Sequence, residues 1–545
     1  MSANGKLSLC GFARGATVFK RNLQTSCFLI MFENMIARIL LKRFFPFCLF
    51  FVFWSACSTD TVSAKDDVSV SSSSENSPSG ISSAGNSSSS AENDQPKDSC
   101  QGTPGIPWDG TTAKSFACGA GTKRSPYIVL TAEQLAKLSF AIGAGDKDFN
   151  GKYFRLEADI LLNEGEVIDS KGALVGDSAA LHKWTPIGNS NISFSGFFDG
   201  NHHSIRGIFI HTTSSHNGLF GSSSGTIANV SVENSWIHGG KYTAGIVGML
   251  KGDGIVRNAT NSSSIIGAHS VAGIVGETDY AYNKITSIDS VSNAGVITGS
   301  EYVAGIVGYA DHMKLKTAKN EGYIEGDYGV GGIAGHLGYN TVAENLWNYG
   351  DVQGKEYTAG IVSFQGISYS SNRVGTLALA KNFGKISGTK YTAGVVGENA
   401  YINIQQVSNS GVVEGEIYVG GISGHSKNST TSSLYNLGEI SGTSYVGGII
   451  GYNQEGVTSS AYNAGEIVGD SLTGLVIGVN YNTTMADYYY LEIENKEPFG
   501  LNNGGGVATA ISESEMKSAK FAERIGEDFI YSSDKNDGYP ALSFE

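Results

Sequence analysis

The sequence is poor in charge, proline and cysteine, and each shortage excludes a class of protein. Only 16% of the 545 residues are charged, 9 are proline and 6 are cysteine. No two cysteines have the CxxC spacing, which excludes a zinc site built from paired thiolates. No histidine precedes a glutamate, so the HExxH motif of zinc peptidases is absent. The 37 basic residues are outnumbered by 51 acidic ones and form no stripe, which argues against nucleic acid as a partner.

Glycine is abundant instead, and much of it lies in a repeat. The 73 glycines lack the every-third spacing of collagen. A glycine-framed apolar block begins at residues 218, 245, 273, 305, 332, 360, 394, 421, 448 and 474, with intervals of 26 to 34 residues. An asparagine, usually in N-x-G, precedes the next block by 11 or 12 residues in every case: Asn234, Asn261, Asn293, Asn320, Asn348, Asn382, Asn409, Asn436 and Asn463.

Such regular spacing is typical of a solenoid. The segment GEISGTSYVGGIIG (438–451) alternates with a period of two and has no helical stripe. We therefore predict an all-β fold, a parallel β-helix of about ten rungs of ~27 residues. We expect glycine at tight corners, and we expect the asparagines to form one column with amide-to-amide hydrogen bonds.

Short helical capping segments are predicted at both ends, because open strand edges promote aggregation. Thr131 and Gln134 form a capping box before an amphipathic stretch, and Ser512 and Glu515 open another that ends at Gly526. The predicted organisation is an N-terminal cap and lead-in (100–195), the repeat β-helix (196–480) and a C-terminal cap (481–545).

The first hundred residues are interpreted as a targeting segment followed by a tether. From Met35, a basic region, an apolar run and small residues form a secretory signal, so we expect 1–34 to be an over-extended start and 35–57 a signal peptide. The sequence WSAC (54–57) resembles a bacterial lipobox, which implies lipidation of Cys57, and Ser58 then favours the outer membrane. An ordinary signal peptide with an incidental cysteine is the alternative. Residues 58–99 are a serine-rich disordered tether.

Two cysteines remain in the predicted folded part. Cys100 and Cys118 would lie in a compartment that permits disulfides, and we expect them to pair.

The blocks GLFG, GIVG and GIIG resemble the GLUG repeat, and the flanks PYIVLTAEQLAKL (126–138) and DGYPAL (537–542) are similar to those of the same family. The resemblance covers 126–545. It implies a secreted or surface-attached bacterial protein, with adhesin-like chains in the family. The family also includes large zinc peptidases that carry these repeats as accessory modules, but their motif is missing here.

A tyrosine column is the main candidate binding site. Three residues before a block glycine stand Tyr242, Tyr302, Tyr357, Tyr391, Tyr418 and Tyr445, whereas Ser270 and Gly329 interrupt the series. If the rings point outward, they form a strip with about 4.8 Å per rung, and flat aromatic strips suit sugar faces. The alternative is a structural ladder that shields each rung from water.

Other candidates are weaker. DKDFNGKYFRLE (146–157) fits a calcium loop through Asp146, Asp148, Asn150 and Glu157, but a strand pattern follows, so a plain turn is the alternative. His202 and His203 are adjacent on an extended chain and form a poor ligand pair. GSSSG (221–225) lacks the strand-to-helix context of a nucleophile elbow. The longer arcs 277–290 and 364–379 are candidate binding loops or tolerated insertions.

The repeat, the tyrosine column and the lack of an aligned carboxylate column together lead to a functional prediction. We predict no catalytic residue, no cofactor and no metal site beyond the weak calcium candidate, because no aligned column of carboxylates emerges. The chain is expected to be a monomeric lipoprotein, anchored by its lipid in the bacterial outer membrane and exposed at the surface. It would bind polysaccharide or another cell-surface ligand. The alternatives are a glycan-active β-helix enzyme, a lyase or hydrolase, and a structural envelope spacer.

Overall fold

The structure is a computed structural model that describes residues 100–280, 283–338, 340–366 and 375–545. The predicted start (1–34), signal peptide (35–57) with Cys57, and tether (58–99) lie outside the described residues. All the described residues belong to one compact unit, Glu92–Glu545.

The predicted fold class is confirmed: the chain is a parallel β-helix. In the described part it makes about 13 turns, rather than about ten. The difference arises at both ends of the stack. At the C-terminal end, Thr484–Leu491 pairs in parallel with Val457–Asn463 and with Ala508–Ile511, beyond the last glycine block. In the lead-in, Tyr127–Val129 pairs in parallel with Tyr153–Leu156, and the latter pairs with Phe197–Arg206. These first turns have no glycine block, so the repeat pattern did not count them.

Each turn contributes strands to three faces. The first face leads to the repeat asparagine, and three of its strands continue onto the second face. Its strands are Tyr127–Val129, Tyr153–Leu156, Phe197–Arg206, Thr226–His238, Ile255–Ala272, Thr286–Asn293, Met313–Asn320, Val342–Asn348, Gly375–Asn382, Ile402–Asn409, Thr430–Asn436, Val457–Asn463, Thr484–Leu491 and Ala508–Ile511.

The second face precedes the glycine block, and the third face begins within it. The second-face strands are Ile160–Leu161, Phe209–His211, Lys241–Ala244, Ile297–Ala304, Ile324–Glu325, Tyr328–Gly331, Val352–Gln353, Glu356–Ala359, Ile386–Ser387, Lys390–Ala393, Val413–Glu414, Ile417–Gly420, Ile440–Gly447 and Ile467–Gly474. The third-face strands are Phe220–Ser223, Val247–Leu250, Val275–Thr278, Val307–Ala310, Ala334–Leu337, Val362–Gly366, Val396–Ala400, Ser423–Lys427, Ile450–Gln454, Ile477–Tyr481 and Phe499–Asn503.

Inward-facing aliphatic side chains from all three faces form one continuous core. In one turn, Ile297, Val303 and Ile306 are fully buried, and the same positions are buried in the neighbouring turns. The block glycine is required by close packing. A Cβ on Gly305 would lie 2.4 Å from the Oδ1 atom of Asn320 and 2.4 Å from the carbonyl oxygen of Gly332.

The predicted asparagine column is confirmed for eight of its members. Each Nδ2 donates to the Oδ1 of the next asparagine at 2.7–2.8 Å, in a single direction from Asn261 through Asn293, Asn320, Asn348, Asn382, Asn409 and Asn436 to Asn463. Asn234 stands apart, because its Oδ1 accepts from the backbone N–H of Val167 and its Nδ2 donates to the carbonyl of Gly165. We call this series, from Asn261 to Asn463, the asparagine ladder.

Helix α1 (Ala132–Gly143) lies in the N-terminal segment, beside the predicted disulfide. Gln134 Oε1 accepts from the backbone N–H of Thr131 at 3.3 Å, as in a capping box, and Leu135 and Leu138 are buried in the solenoid core. Cys100 and Cys118 form a disulfide with their Cα atoms 4.9 Å apart. Short 3-10 turns follow at Lys147–Phe149 and Ser178–Ala180.

The C-terminal segment has two parts. Its strands up to Ala508–Ile511 extend the stack, and helices α2 (Glu513–Met516) and α3 (Ala519–Ile525) follow. A 3-10 turn (Asn536–Gly538) and an antiparallel pair (Phe529–Ile530 with Ala541–Leu542) complete it. These elements pack on outward-facing tyrosines of the first face: Tyr435, Tyr462 and Tyr489. Residues 512–545 therefore lie along the side of the last turns.

Candidate functional site

The structure places all six predicted tyrosines in second-face strands, three residues before the block glycine, and each is half-buried. It brings them into one column, in which the rings stack from Tyr357 to Tyr418, whereas Tyr302 contacts its neighbours edge to face. The centroid distances are 4.7 Å for Tyr357–Tyr391, 4.9 Å for Tyr391–Tyr418 and 4.7 Å for Tyr418–Tyr445. The gaps in the repeat are bridged by neighbours: Tyr328 lies 5.1 Å from Tyr357, and His269 lies 5.2 Å from Tyr302. The column is therefore continuous.

The backbone conformation at this position favours glycine, yet tyrosine usually occupies it. The φ angle is between +52° and +60° at all six tyrosines, +55° at Ser270 and +70° at Gly329. A bulky residue in the left-handed region costs about 1 kcal/mol or more, and Gly329 avoids that cost. Stacking and burial of the rings offset part of this strain at the tyrosine positions.

The ring orientation bears on how a ligand could bind. Tyr391 is nearly parallel to both of its neighbours, with interplanar angles of 12° to Tyr357 and 6° to Tyr418. Stacked rings cover each other's faces, so the strip presents ring edges more than open faces. Burial raises the pKa of Tyr391 and Tyr418 above the usual range, which keeps these hydroxyls protonated.

A second column beside the tyrosines was missed by the sequence reasoning. It lies on the third face, four residues after each block glycine, and consists of Met249, Glu277, Tyr309, His336, Phe364, Glu398, His425 and Tyr452. Tyr302 lies 5.2 Å from Tyr309, and Tyr357 lies 5.7 Å from Phe364. The constant spacing from the glycine was the available signal. We call the two columns together the aromatic strip.

Carboxylates interrupt the aromatic strip. At the turn where serine replaces tyrosine, His269 lies between two of them, with Nδ1 4.0 Å from Glu277 Oε2 and Nε2 3.5 Å from Glu301 Oε2. Ser270 donates to Glu277 Oε2 at 2.6 Å. Burial raises the pKa of Glu277 and lowers that of His269. Ser270 is fully buried, so its hydroxyl is not an accessible nucleophile.

The other acidic member is too distant to work with Glu277. Glu398 lies four turns along the same column, about 19 Å away at ~4.8 Å per strand. Glycosidase carboxyl pairs are about 5 to 9.5 Å apart. Glu398 instead lies near His425, with 3.7 Å between Oε2 and Nδ1.

The weak calcium candidate is not assembled. The Asp146 carboxylate accepts from the backbone N–H of Asp148, and Asn150 accepts from Ser195. Glu157 is paired with Arg155, whose Nε lies 2.8 Å from Oε1. Across the residues that the structure describes, no three His, Cys, Asp or Glu side chains are grouped so that they could hold a metal ion.

The remaining sequence candidates have structural partners or fall outside the description. His203 Nδ1 lies 3.2 Å from Asp159 Oδ1. In GSSSG, Ser223 is fully buried and donates to the carbonyl of Phe194. Residues 281–282 and 367–374, in the two long arcs, lie outside the described residues.

Comparisons with known proteins give partial matches. No protein-family model matches the chain. It is 30% identical over 176 residues to "Halomucin" of Haloquadratum walsbyi, which is 31% of this chain and 2% of that protein. It is 32% identical over 150 residues to a "Putative Gly-rich membrane protein" of Evansella cellulosilytica, which is 27% of this chain and 15% of that protein. The chain thus spans a small part of the curated relatives it matches.

One solved structure is also similar. It is the crystal structure of a "putative immunoglobulin A1 protease" from Bacteroides ovatus, which matches over 79% of this chain and 96% of that one. The identity is 16% and the TM-score 0.28, too low to support an argument about function. Within the described ranges, no helix of this chain is both long enough and apolar enough to cross a membrane.

Proposed function

We propose that the chain is a surface-attached binding module of the GLUG-repeat kind, which holds an extended polysaccharide or similar cell-surface polymer along the aromatic strip. The observation that carries the proposal is the tyrosine column at positive φ. The chain accepts an unfavourable backbone conformation at six turns to keep half-exposed rings in register. A strip that repeats at every turn suits a polymer that also repeats.

The mode of contact follows from the stacking. Ring edges and protonated hydroxyls offer apolar contact and hydrogen bonds side by side, and both are needed for sugar rings. Open-face stacking on a sugar is less suited to rings that cover one another. We therefore expect many weak contacts along the polymer, so affinity should rise with ligand length.

The expected location is part of the same proposal. A lipid on Cys57 and the serine-rich tether would attach the binding module to the bacterial outer membrane as a monomer. A relative that is named as a membrane protein supports attachment in general terms.

Two other functions compete with this proposal. The group formed by His269, Glu277 and Glu301 favours a glycan-active enzyme, because burial gives Glu277 the raised pKa of a general acid. The near-parallel rings favour a structural spacer, because stacking alone would explain the column.

The test uses the full-length chain in pull-downs on soluble and insoluble polysaccharides, with and without calcium. The variant replaces Tyr357, Tyr391, Tyr418 and Tyr445 with Asn, which tolerates positive φ better than other residues with a side chain. We expect binding to weaken at least tenfold while the circular dichroism spectrum is retained.

The matched control replaces Tyr349 and Phe383 with Asn. These rings are exposed and stacked at 4.7 Å, but they lie outside the aromatic strip. Loss of binding in the control as well, or wild-type binding by the tyrosine variant, would refute the strip as the site. Release of reducing ends from any polysaccharide would favour the enzyme, and binding to none would favour the spacer.

A further inference from the structure

A groove opens on the first face near the N-terminal end of the stack, away from the aromatic strip. It has a volume of about 450 Å³. Strands of four successive turns form its floor and sides, and the segment that carries Lys123 and Pro126 lines it as well.

The register of the strands explains the depression. One row of side chains runs Tyr153, Phe197, Thr226, Ile255, and the row beside it runs Arg155, Asp199, Ala228, Arg257. Thr226 and Ala228 are small, whereas their neighbours along the stack are large. The short side chains therefore leave a hollow between the aromatic pair at one end and Arg257 at the other.

The aromatic end has an apolar surface of the size of a sugar ring. Tyr153 and Phe197 are stacked with 4.3 Å between centroids and an interplanar angle of 6°. Phe197 is 40% exposed, so part of the ring stays open to the groove. Aromatic rings beside polar groups are a common composition for binding sugars.

The charge of the groove is opposite to that of the chain. The full sequence has a formal charge of −14, yet three cations and one carboxylate line this groove. Arg155 is held by Glu157, but neither Lys123 nor Arg257 makes an ion pair with any residue that the structure describes. These two cations are available to a ligand.

The single lining carboxylate is occupied by the protein itself. Asp199 Oδ1 accepts from the backbone N–H of Asn201 at 2.9 Å and from Nδ2 of Asn229 at 2.8 Å. Asn229 in turn accepts from Nδ2 of Asn258 at 2.9 Å. This network holds the Asp199 carboxylate in place at the floor, and the three lining cations still outnumber it.

We infer that this groove binds an anionic saccharide, with a sugar ring against Phe197 and its carboxylate or sulfate on Arg257 and Lys123. Guanidinium groups recognise carboxylate and sulfate through two parallel hydrogen bonds, which gives both strength and orientation. The inference stands apart from the tyrosine column, because the groove lies on another face and shares no residue with the strip.

The test measures binding of short oligosaccharides to the full-length chain by calorimetry. The probes are oligogalacturonate, a sulfated dextran oligomer, the neutral dextran oligomer of the same length, and inorganic sulfate alone. We expect the two anionic oligomers to bind, with affinity falling as salt rises, and the neutral oligomer to bind at least tenfold more weakly.

Two variants and a matched control locate the site. Arg257→Gln and Phe197→Ser should each weaken the anionic oligomers at least tenfold. Lys316→Gln should not, because Lys316 lies two turns further along the same row and is paired with Glu344 at 2.9 Å. The variant with four tyrosines replaced should retain this binding, which separates the groove from the proposed strip.

Several outcomes would overturn the inference. They are unchanged binding by Arg257→Gln, equal binding of the neutral oligomer, or a loss of the same size in Lys316→Gln. Inorganic sulfate that binds as tightly as the sulfated oligomer, with no effect of Phe197→Ser, would reduce the groove to a simple anion site and refute recognition of a sugar.

Discussion

The asparagine ladder supports a quantitative prediction for Asn382, which lies in its middle. Its Nδ2 donates to the carbonyl of Gly384 at 2.9 Å and to Asn409 Oδ1 at 2.8 Å, and its Oδ1 accepts from Asn348 Nδ2 at 2.8 Å. The residue is fully buried. Asn382→Ala removes these three hydrogen bonds, each worth about 1 kcal/mol net, so the free energy of unfolding should fall by about 3 kcal/mol.

The neighbours make about 3 kcal/mol the lower bound of this loss. Asn348 Nδ2 still donates to the carbonyl of Gly350, and Asn409 Oδ1 still accepts from the N–H of Gly411. Each of these two groups keeps a partner, but the carbonyl of the buried Gly384 loses its side-chain donor, and that unsatisfied acceptor adds to the loss.

Asn463, the last member, has no next asparagine to donate to, but it also makes three hydrogen bonds. Its Oδ1 accepts from Asn436 Nδ2 at 2.8 Å and from the backbone N–H of Gly465 at 3.2 Å, and its Nδ2 donates to the carbonyl of Gly465 at 3.0 Å. Asn463→Ala should therefore cost about 3 kcal/mol as well.

The assay is urea unfolding of the full chain, followed by circular dichroism and by tyrosine fluorescence, because a repeat protein can lose two-state behaviour. The control is Asn403→Ala, an exposed asparagine in the strand Ile402–Asn409, which should change stability by less than about 0.5 kcal/mol. A loss below about 1 kcal/mol for Asn382→Ala, or one equal to that of Asn403→Ala, would refute the role given to the ladder.

Two further predictions concern ionisable side chains that are screened from water. Burial lowers the pKa of His336 from 6.5 to about 4, so between these values the unfolded chain binds the proton more readily, and stability should fall as pH falls from 6.5 towards 4. His336→Phe, which copies Phe364 of the next turn, should flatten that part of a urea-unfolding pH series; an unchanged slope would contradict this. Glu545→Gln should leave the buried Lys381 charge unpaired and weaken docking of residues 512–545 by about 3 kcal/mol. Hydrogen exchange should then rise in that segment alone, with exposed Glu527→Gln as the control.

Features that the same physical constraint imposes on every turn could be predicted from the sequence. Gly305 has no room for a Cβ beside Asn320 and Gly332, and the same crowding recurs at the equivalent glycines. The block glycines and the asparagines were therefore visible as regular spacing in the sequence, and they implied a stacked fold. The first turns were undercounted because large aromatic side chains such as Phe154 and Phe198 fill their core, without a glycine block to mark them.

The column on the third face was not predicted, although its spacing is as regular. Its members differ in chemistry, from Glu277 through Tyr309 to Phe364. A search for one residue type finds the tyrosines. It misses this position, because the side chain there is acidic in some turns and aromatic in others. What the members share is a place beside the tyrosines, which only the folded chain reveals.

The lateral packing of residues 512–545 could not be predicted either. Tyr435 and Tyr462 point away from the core in the strand alternation, which by itself indicates solvent. They are fully buried because the C-terminal segment covers them, and Tyr435 Oη donates to the Glu545 carboxylate. This contact joins positions 110 residues apart in sequence, so no local pattern contains it.

The single direction of the asparagine ladder has a consequence for how such a chain can change in evolution. From Asn293 to Asn436, every turn offers an amide donor to the next turn and an acceptor to the one before. An in-frame duplication or deletion of one 27-residue unit in the gene, at a turn outside those that pack against residues 512–545, would therefore join compatible turns at both new junctions. Each such event would change the length of the stack by about 4.8 Å without altering either end, so reach can vary by recombination alone while the terminal segments stay the same.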